Sequence, residues 1–404
     1  MSLVIALVGL GLLVLVHESG HFFASLALGM RPRKFYVGFP PPLVKTTRRG
    51  IEYGIGAIPL GGFVKIPGMH RPVPSDVDAQ IGRAVVEAPE LAGPADRLRR
   101  TLAIDDHDGA RAATASIRQI VEERDLSPSA RRAAERGLAD MEDALGPDAY
   151  WRAKTWRRVV AIAAGPFANI VLTVVLLTVL FAVSGGRATT TVDAIAPDSA
   201  ASHAGLHAGD QIVAVNGKPV TAEQIPKRIS ASHGRPLTIT VVRDGALVTL
   251  GPARPRLTSD GIYRLGFALR GAGMSVPKAT ISAFRVTGEV SREIGATIGR
   301  LATGSGQDQI SSPVGIVKGS SDAAKEGTAS YLSVLALISL SIALLNLLPL
   351  LPLDGGHIVF AVVEGIRGRA VGRDVYERVS VVGIALVLIL FVIGLRNDIP
   401  RVTQ

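Results

Sequence analysis

Leu3-Val4-Ile5-Ala6-Leu7-Val8-Gly9-Leu10-Gly11-Leu12-Leu13-Val14-Leu15-Val16 runs without a polar side chain into His17-Glu18-Ser19-Gly20-His21. Phe22-Phe23-Ala24-Ser25-Leu26-Ala27-Leu28 then continues the apolar run. As a helix, residues 3–28 are long enough to cross a bilayer. Residues four apart share a helix face, so His17 and His21 can reach one metal ion, with Glu18 beside them free to handle a proton. Ionisable groups inside a membrane span are costly and mark function.

The rest of the chain fits a membrane protein. It has 404 residues, 48% of them hydrophobic, with a mean hydropathy of +0.34. The apolar residues gather in four blocks, at about 3–28, 158–183, 330–353 and 380–395. The first has no basic residue ahead of it and no small-residue cleavage site after it, so it reads as a retained span rather than a signal peptide. The absence of cysteine excludes disulfides, thiolate ligands and a cysteine nucleophile. The net charge of +10 collects beside the apolar blocks, a pattern of membrane orientation rather than of nucleic-acid binding. Arg31, Arg33, Lys34, Lys45, Arg48 and Arg49 follow the first block, and Arg152, Lys154, Arg157 and Arg158 border the second. Arg367, Arg369, Arg373 and Arg378 lie between the third and fourth. The positive-inside rule makes both loops cytoplasmic, with the N-terminus, residues 186–329 and the C-terminus outside.

Six segments follow. Residues 1–69 carry the first span and, at 51–66, two short apolar runs around Pro59-Leu60-Gly61-Gly62, which is hairpin chemistry. The residues leave two readings of that hairpin open: packing on the helices, or an edge facing the metal that a substrate could pair with. Residues 70–150 turn rich in Ala, Arg, Asp and Glu and read as a cytoplasmic helical insertion; its His107 reads as a loop residue. Residues 151–186 hold the second span, with Gly165-Pro166 and Asn169 assigned to helix packing. Residues 187–272 read as a β-rich module with an Asn216-Gly217 turn, and its His203, His207 and His233 are surface residues. Residues 273–329 contain an amphipathic helix over 277–302. Residues 330–404 contain the third and fourth spans.

The third span ends in Asn346-Leu347-Leu348-Pro349-Leu350-Leu351-Pro352-Leu353-Asp354-Gly355-Gly356-His357. Prolines break the helix there, and irregular backbone at membrane depth survives only when buried in protein or lining a wet cavity. Asp354, in a broken span beside a two-histidine site, reads as the third ligand. His17, His21 and Asp354 are the three-ligand N/O set of a catalytic zinc, with Glu18 as the base.

These motifs together resemble the site-2 protease family of intramembrane zinc metalloproteases. The nearer likeness is to its bacterial branch, which carries a PDZ domain and cleaves anti-sigma factors. The resemblance rests on His17–His21, Tyr53–Ile66, Gly165-Pro166 with Asn169, Gly205–Val220, Ser312-Pro313-Val314-Gly315-Ile316 and Asn346–Gly356. The insertion at 70–150 stands outside it. It implies a polytopic α-helical membrane protein of about four transmembrane helices in the bacterial cytoplasmic membrane. A membrane-associated β-hairpin and an extracytoplasmic PDZ-like α+β domain would complete the fold. It implies zinc on His17, His21 and Asp354, and Glu18 as catalytic residue. Asn346 would help hold substrate. The loop carrying Gly54, Ile55, Gly56, Gly61 and Gly62 would receive an unwound substrate as an added strand. The implied partners are single-span membrane substrates, such as an anti-sigma factor, first cut outside by another protease. Clearance of leftover signal peptides is an alternative role. A non-catalytic PDZ scaffold would not need His17, Glu18, His21 and Asp354, and a metal transporter would show inverted repeats, which this sequence lacks.

Overall fold

The computed structural model describes residues 1–402 apart from 186, 259–260 and 304–310. In chain order the elements begin with α1 (Ser2–Ala27), β1 (Lys34–Arg48) and β2 (Ile51–Lys65). There follow α2 (Pro74–Glu87), α3 (Ala92–Ala103), α4 (His107–Glu123), α5 (Pro128–Leu145) and α6 (Thr155–Leu180). Next come β3 (Arg187–Ile195), α7 (Ala200–His203), β4 (Gln211–Val215), β5 (Lys218–Pro219), α8 (Gln224–Ser230), β6 (Leu237–Arg243) and β7 (Ala246–Ala253). The remainder is β8 (Arg256–Leu257), β9 (Tyr263–Arg264), β10 (Phe267–Ala272), α9 (Val276–Ala302), α10 (Pro313–Glu326), α11 (Thr328–Asn346), α12 (Asp354–Arg367) and α13 (Arg373–Val402). They form two compact units, one of residues 1–172, 294–326 and 337–404, the other of 173–293 and 327–336.

Among the described residues four helices are long and apolar enough to cross a membrane: Ser2–Ala27, Thr155–Ser184, Thr328–Asn346 and Val375–Ile399. Two of these differ from the sequence expectation. The third helix stops at Asn346 rather than 353, because Pro349 and Pro352 cannot extend it. The chain turns through 347–353 and restarts as α12 at Asp354. The fourth is longer than the apolar block at 380–395, since Arg373–Arg378 also takes helical form.

In the first unit, α2–α5 close over a core of their own, in which Val77, Leu91, Leu98, Ile117 and Leu138 are buried. Asp106 and Ser127 cap α4 and α5 by accepting from the Gly109 and Ala130 amides. This insertion is tied to the β-structure by charge. Arg33 meets Asp143 at 2.7 Å and Asp148 at 2.8 Å, while Lys65 meets Asp140 at 2.7 Å and Asp143 at 3.0 Å.

The β-structure corrects the hairpin expected at 51–66. Its tight turn is Arg49-Gly50, both at positive φ, and it joins β1 to β2. Each strand bends back on itself. Phe39-Pro40-Pro41-Pro42 interrupts β1, where three prolines offer no N–H to a ladder, and Gly56–Gly61 bends β2. Lys34–Val37 therefore lies opposite Glu52–Ile55 on one side and Gly62–Lys65 on the other. Val44–Arg48 pairs with the far side of Ile51–Ile55. The sheet order is 62–65, 34–37, 51–55, 44–48, and the two runs expected to pair with each other are separated by 34–37.

At the far end of this unit Asp398 of α13 accepts from the Ser312 amide at 2.5 Å, holding the start of α10. Gly315 is required there, since a β-carbon would run into the same carboxylate.

The second unit contains a sheet in the order β10-β3-β4-β6-β7, with β5 on β4. Asn216-Gly217 and Asp244-Gly245 make its tight turns with positive φ at both residues, the geometry of two-residue hairpin turns. Val192, Ile212, Ile225, Ile239 and Val241 fill its core. Asp210, 2% exposed, accepts both Nε and Nη2 of Arg243 at 2.7 Å and the His207 amide at 2.8 Å. His203, His207 and His233 are exposed.

Candidate metal centre

Helical spacing brings His17 and His21 one turn apart on α1, with their rings edge to face at 4.9 Å between centroids. Asp354, 337 residues from His17, is the first residue of α12 and points its carboxylate at both rings. His17 Nε2 is 3.1 Å from Asp354 Oδ2, His21 Nε2 is 3.3 Å from the same oxygen, and the two Nε2 atoms are 3.3 Å apart. Among the described residues this is the group of three His, Cys, Asp or Glu side chains close enough to share an ion. Ligands about 2.0–2.1 Å from a tetrahedral zinc lie about 3.3 Å from one another. The observed triangle therefore fits zinc without movement.

The surroundings orient the donors. His21 Nδ1 donates to the Ala161 carbonyl at 3.1 Å, which leaves Nε2 as the lone-pair nitrogen that a metal needs. His17 and His21 are 7% and 6% exposed, so water reaches them only in small numbers.

Two helix–helix contacts set this geometry. A β-carbon at Gly20 would collide with the Ala164 carbonyl, so α1 and α6 cross with their backbones nearly touching. A β-carbon at Gly165 would collide with His21 Nε2 itself. Pro166 has no N–H for the Ile162 carbonyl, one turn earlier on α6. Reading Gly165-Pro166 only as packing missed this second role. The available signal was small residues on both helices, Gly20 on one and Ala164-Gly165 on the other. Further along, Gly355 and Gly356 admit the carbonyl of Leu348 and the amide of Leu351, which lets the 347–353 turn fold against the start of α12.

Glu18 does not join the triangle. It lies against the outer strand of the β-structure, where a β-carbon at Gly62 would run into its Cγ. Gly61, at positive φ, backs onto the Phe39 ring. Gly54 and Ile55 lie in the inner strand and Gly56 at the start of the bend after it; Ile55 is opposite both Val37 and Val44, and Gly54 opposite both Tyr36 and Lys45. Asn346 is half-buried at the last position of α11, eight residues before Asp354. His107 opens α4 with its ring 5.3 Å from that of Trp151, and among the described residues it belongs to no group of three side chains able to share an ion.

Within the sheet, Glu52 accepts from Tyr36 and from Lys45 at 3.0 Å. The Tyr36 hydroxyl, together with Lys45 and Lys34, holds its carboxyl down at about 2. Burial beside that carboxylate pushes the Tyr36 hydroxyl up to about 12. This pair locks 34–37 to 51–55 across the sheet.

The profile of peptidase family M50 matches residues 5–390. Zinc metalloprotease RasP of Geobacillus kaustophilus is 29% identical over 427 residues, covering 99% of this chain and 98% of that one. Zinc metalloprotease RasP of Bacillus licheniformis is 27% identical over 410 residues, covering 97% of each. With a match over nearly its whole length and four bilayer-length helices, this chain belongs to peptidase family M50, the site-2 proteases, and is a membrane-embedded zinc metalloprotease.

Proposed function

We propose that the protein hydrolyses peptide bonds within transmembrane segments of other membrane proteins, with zinc on His17, His21 and Asp354 and with Glu18 as general base. The observation that carries this reading is the donor triangle of 3.1, 3.3 and 3.3 Å, with two of its three donors on the apolar, bilayer-length helix α1. Zinc there supplies a Lewis acid that lowers the pKa of water to about 7 and polarises a carbonyl. Glu18 takes a proton from the attacking water and passes it to the leaving amine. The Ala161 carbonyl keeps the His21 ring in the ligating tautomer.

A transmembrane helix hides its amides in its own hydrogen bonds, so the substrate unwinds before attack. The outer strand 62–65 is the edge next to Glu18, and a substrate strand added there regains backbone partners. Gly62 belongs to that edge and Gly61 to the bend leading into it, and Asn346, at the end of α11, serves as a substrate-holding polar group. Gly54 and Ile55 of the inner strand, with Gly56 at the start of its bend, support the edge rather than receiving substrate.

The charge pattern orients the chain with residues 31–157 and 365–378 in the cytoplasm and residues 186–329, with the sheet of the second unit, outside. The sheet of that unit, with its short helices α7 and α8, serves as a PDZ-like filter for substrates already shortened outside by a first protease. Anti-sigma factors are the substrate class that the likeness favours, within regulated intramembrane proteolysis. Leftover signal peptides are the second class, since both are single-span segments.

Reconstitution in lipid with a single-span substrate tests the reading. Glu18→Gln should keep zinc and lose about 100-fold or more in cleavage rate. His21→Ala should lose zinc and cleavage together. Wild-type cleavage by Glu18→Gln would overturn the mechanism. Comparing trimmed anti-sigma and signal-peptide segments in the same vesicles would decide between the two substrate classes.

A further inference from the structure

A cavity of about 650 Å³ opens within the first unit, where the insertion, the start of α6 and the α12–α13 turn meet. Its size is that of a small-ligand site. Four cations line it, Arg71, Lys154, Arg158 and Arg369, against two acids, Asp105 and Glu364. Both acids are already engaged. Asp105 pairs with Arg71. Glu364 accepts from Arg158 at 2.6 Å and from the Val371 amide at 2.9 Å, one bond to each oxygen. Lys154 and Arg369 have no acidic partner among the described residues, which leaves the lining with an excess of positive charge.

The wall also carries unanswered donors. Arg158 is only 8% exposed and its guanidinium interacts with the Tyr150 hydroxyl beneath it, while the Arg158 Nε and the hydroxyl's own hydrogen face no acceptor of ordinary geometry. The guanidinium lies 4.8 Å from the Tyr150 ring centroid. Buried donors without acceptors are costly, and a bound anion with several oxygens is the group that satisfies them. Position narrows the choice. Two of the bilayer-length helices begin beside the cavity, at Thr155 and Val375, and Trp156 beside it is more than half exposed. That combination of span ends, an aromatic ring and uncompensated Lys and Arg is the setting of a lipid headgroup.

We propose that this cavity binds a phosphate group carrying negative charge, from an anionic phospholipid headgroup or from a soluble phosphate ester. Lys154 and Arg369 supply the charge, and Arg158 with Tyr150 supplies donors from the floor. The site is separate from the donor triangle and does not depend on the protease reading.

The chain has two tryptophans, and Trp151 lines the cavity. Full-length Trp156→Phe in neutral detergent therefore has one indole, at the site. Titration with dihexanoyl phosphatidylglycerol should change its emission saturably, and Lys154→Gln/Arg369→Gln on the same background should weaken that binding about tenfold or more. A saturable response to glycerol 3-phosphate as well assigns the site to soluble esters; a response to the lipid alone assigns it to headgroups. Native mass spectrometry of the unsubstituted protein gives a second reading. It should retain phosphatidylglycerol in preference to phosphatidylcholine, or glycerol 3-phosphate, and lose it with Lys154→Gln/Arg369→Gln. No saturable response and no retained phosphate compound, or equal affinity in the double variant, would overturn the proposal.

Discussion

Gly165 of α6 lies flat against the His21 imidazole, so closely that no β-carbon fits between the helix backbone and Nε2. Helix crossing and metal geometry are thus one constraint. Gly165→Ala adds a better helix former but must push the ring or the helix aside. Zinc affinity should fall about 10–100-fold, the scale of lost metal-orienting contacts, while the helices remain folded. Zinc analysis and circular dichroism on the same preparation check this; full zinc occupancy at limiting metal would contradict it.

The sheet order separates prolines by position. Ile55 is paired on both sides, so Ile55→Pro should break a ladder hydrogen bond and lower protein yield or stability by about 1–3 kcal/mol. Along the outer strand, successive amides point alternately toward 34–37 and away from it. Of Phe63→Pro and Val64→Pro, one should therefore disturb the sheet. The other should leave fold and zinc intact and lose cleavage of a membrane substrate. Wild-type cleavage by both, with zinc bound, would end the strand-addition reading.

Asp210 carries a pH dependence. Hydrogen bonds from Arg243, with that cation's charge and the His207 amide, hold its carboxyl below the usual range. A depressed carboxylate contributes stability above its unfolded pKa of about 3.9 and loses it as pH falls through the folded value. Asp210→Asn should destabilise the second unit at pH 7, by less than breaking a fully buried pair would, because Arg243 is open to water. Below about pH 4 the difference from wild type should shrink. Hydrogen exchange at β4 and β6, corrected for intrinsic rates, measures both.

Arg33 and Lys65 hold the insertion against the β-structure through Asp140, Asp143 and Asp148. Asp143 serves both cations, so Asp143→Asn should loosen the attachment more than Asp140→Asn, by about 1–2 kcal/mol. The α2–α5 core should persist because it is buried independently of these charges. Limited proteolysis should then cut first in the links at 66–73 and 146–154, not inside the helices.

Membrane orientation is open to cysteine labelling, since the chain has no cysteine of its own. An impermeant thiol reagent should modify Lys218→Cys in intact cells and reach Asp125→Cys only after permeabilisation. Both positions are exposed. The reverse pattern would invert the charge-based orientation.

The features legible in the sequence are those with local causes. Four apolar blocks stand out because a bilayer demands a run of apolar side chains, and four helices of that kind are present among the described residues. His17 and His21 stand out because helical period fixes their separation. The Asn216-Gly217 turn stands out because its backbone needs positive φ at both residues. The strand pairing of 51–66 was misread for the opposite reason. Its runs look complementary to each other, yet 34–37 enters between them, and nothing in the local pattern ranks that partner above the nearer one.

By itself, then, the sequence determined which residues are candidates for the chemistry and which stretches are apolar enough to cross a membrane, because composition and short-range period decide both. Only the tertiary structure decided how those parts meet: Asp354 reaching His17 across 337 residues, Gly165 pressed on His21, Gly62 beside Glu18, and the cationic cavity at the foot of α6. Such contacts come from close packing between distant segments, where a single missing β-carbon sets the distance, and packing of that kind leaves no periodic mark along the chain.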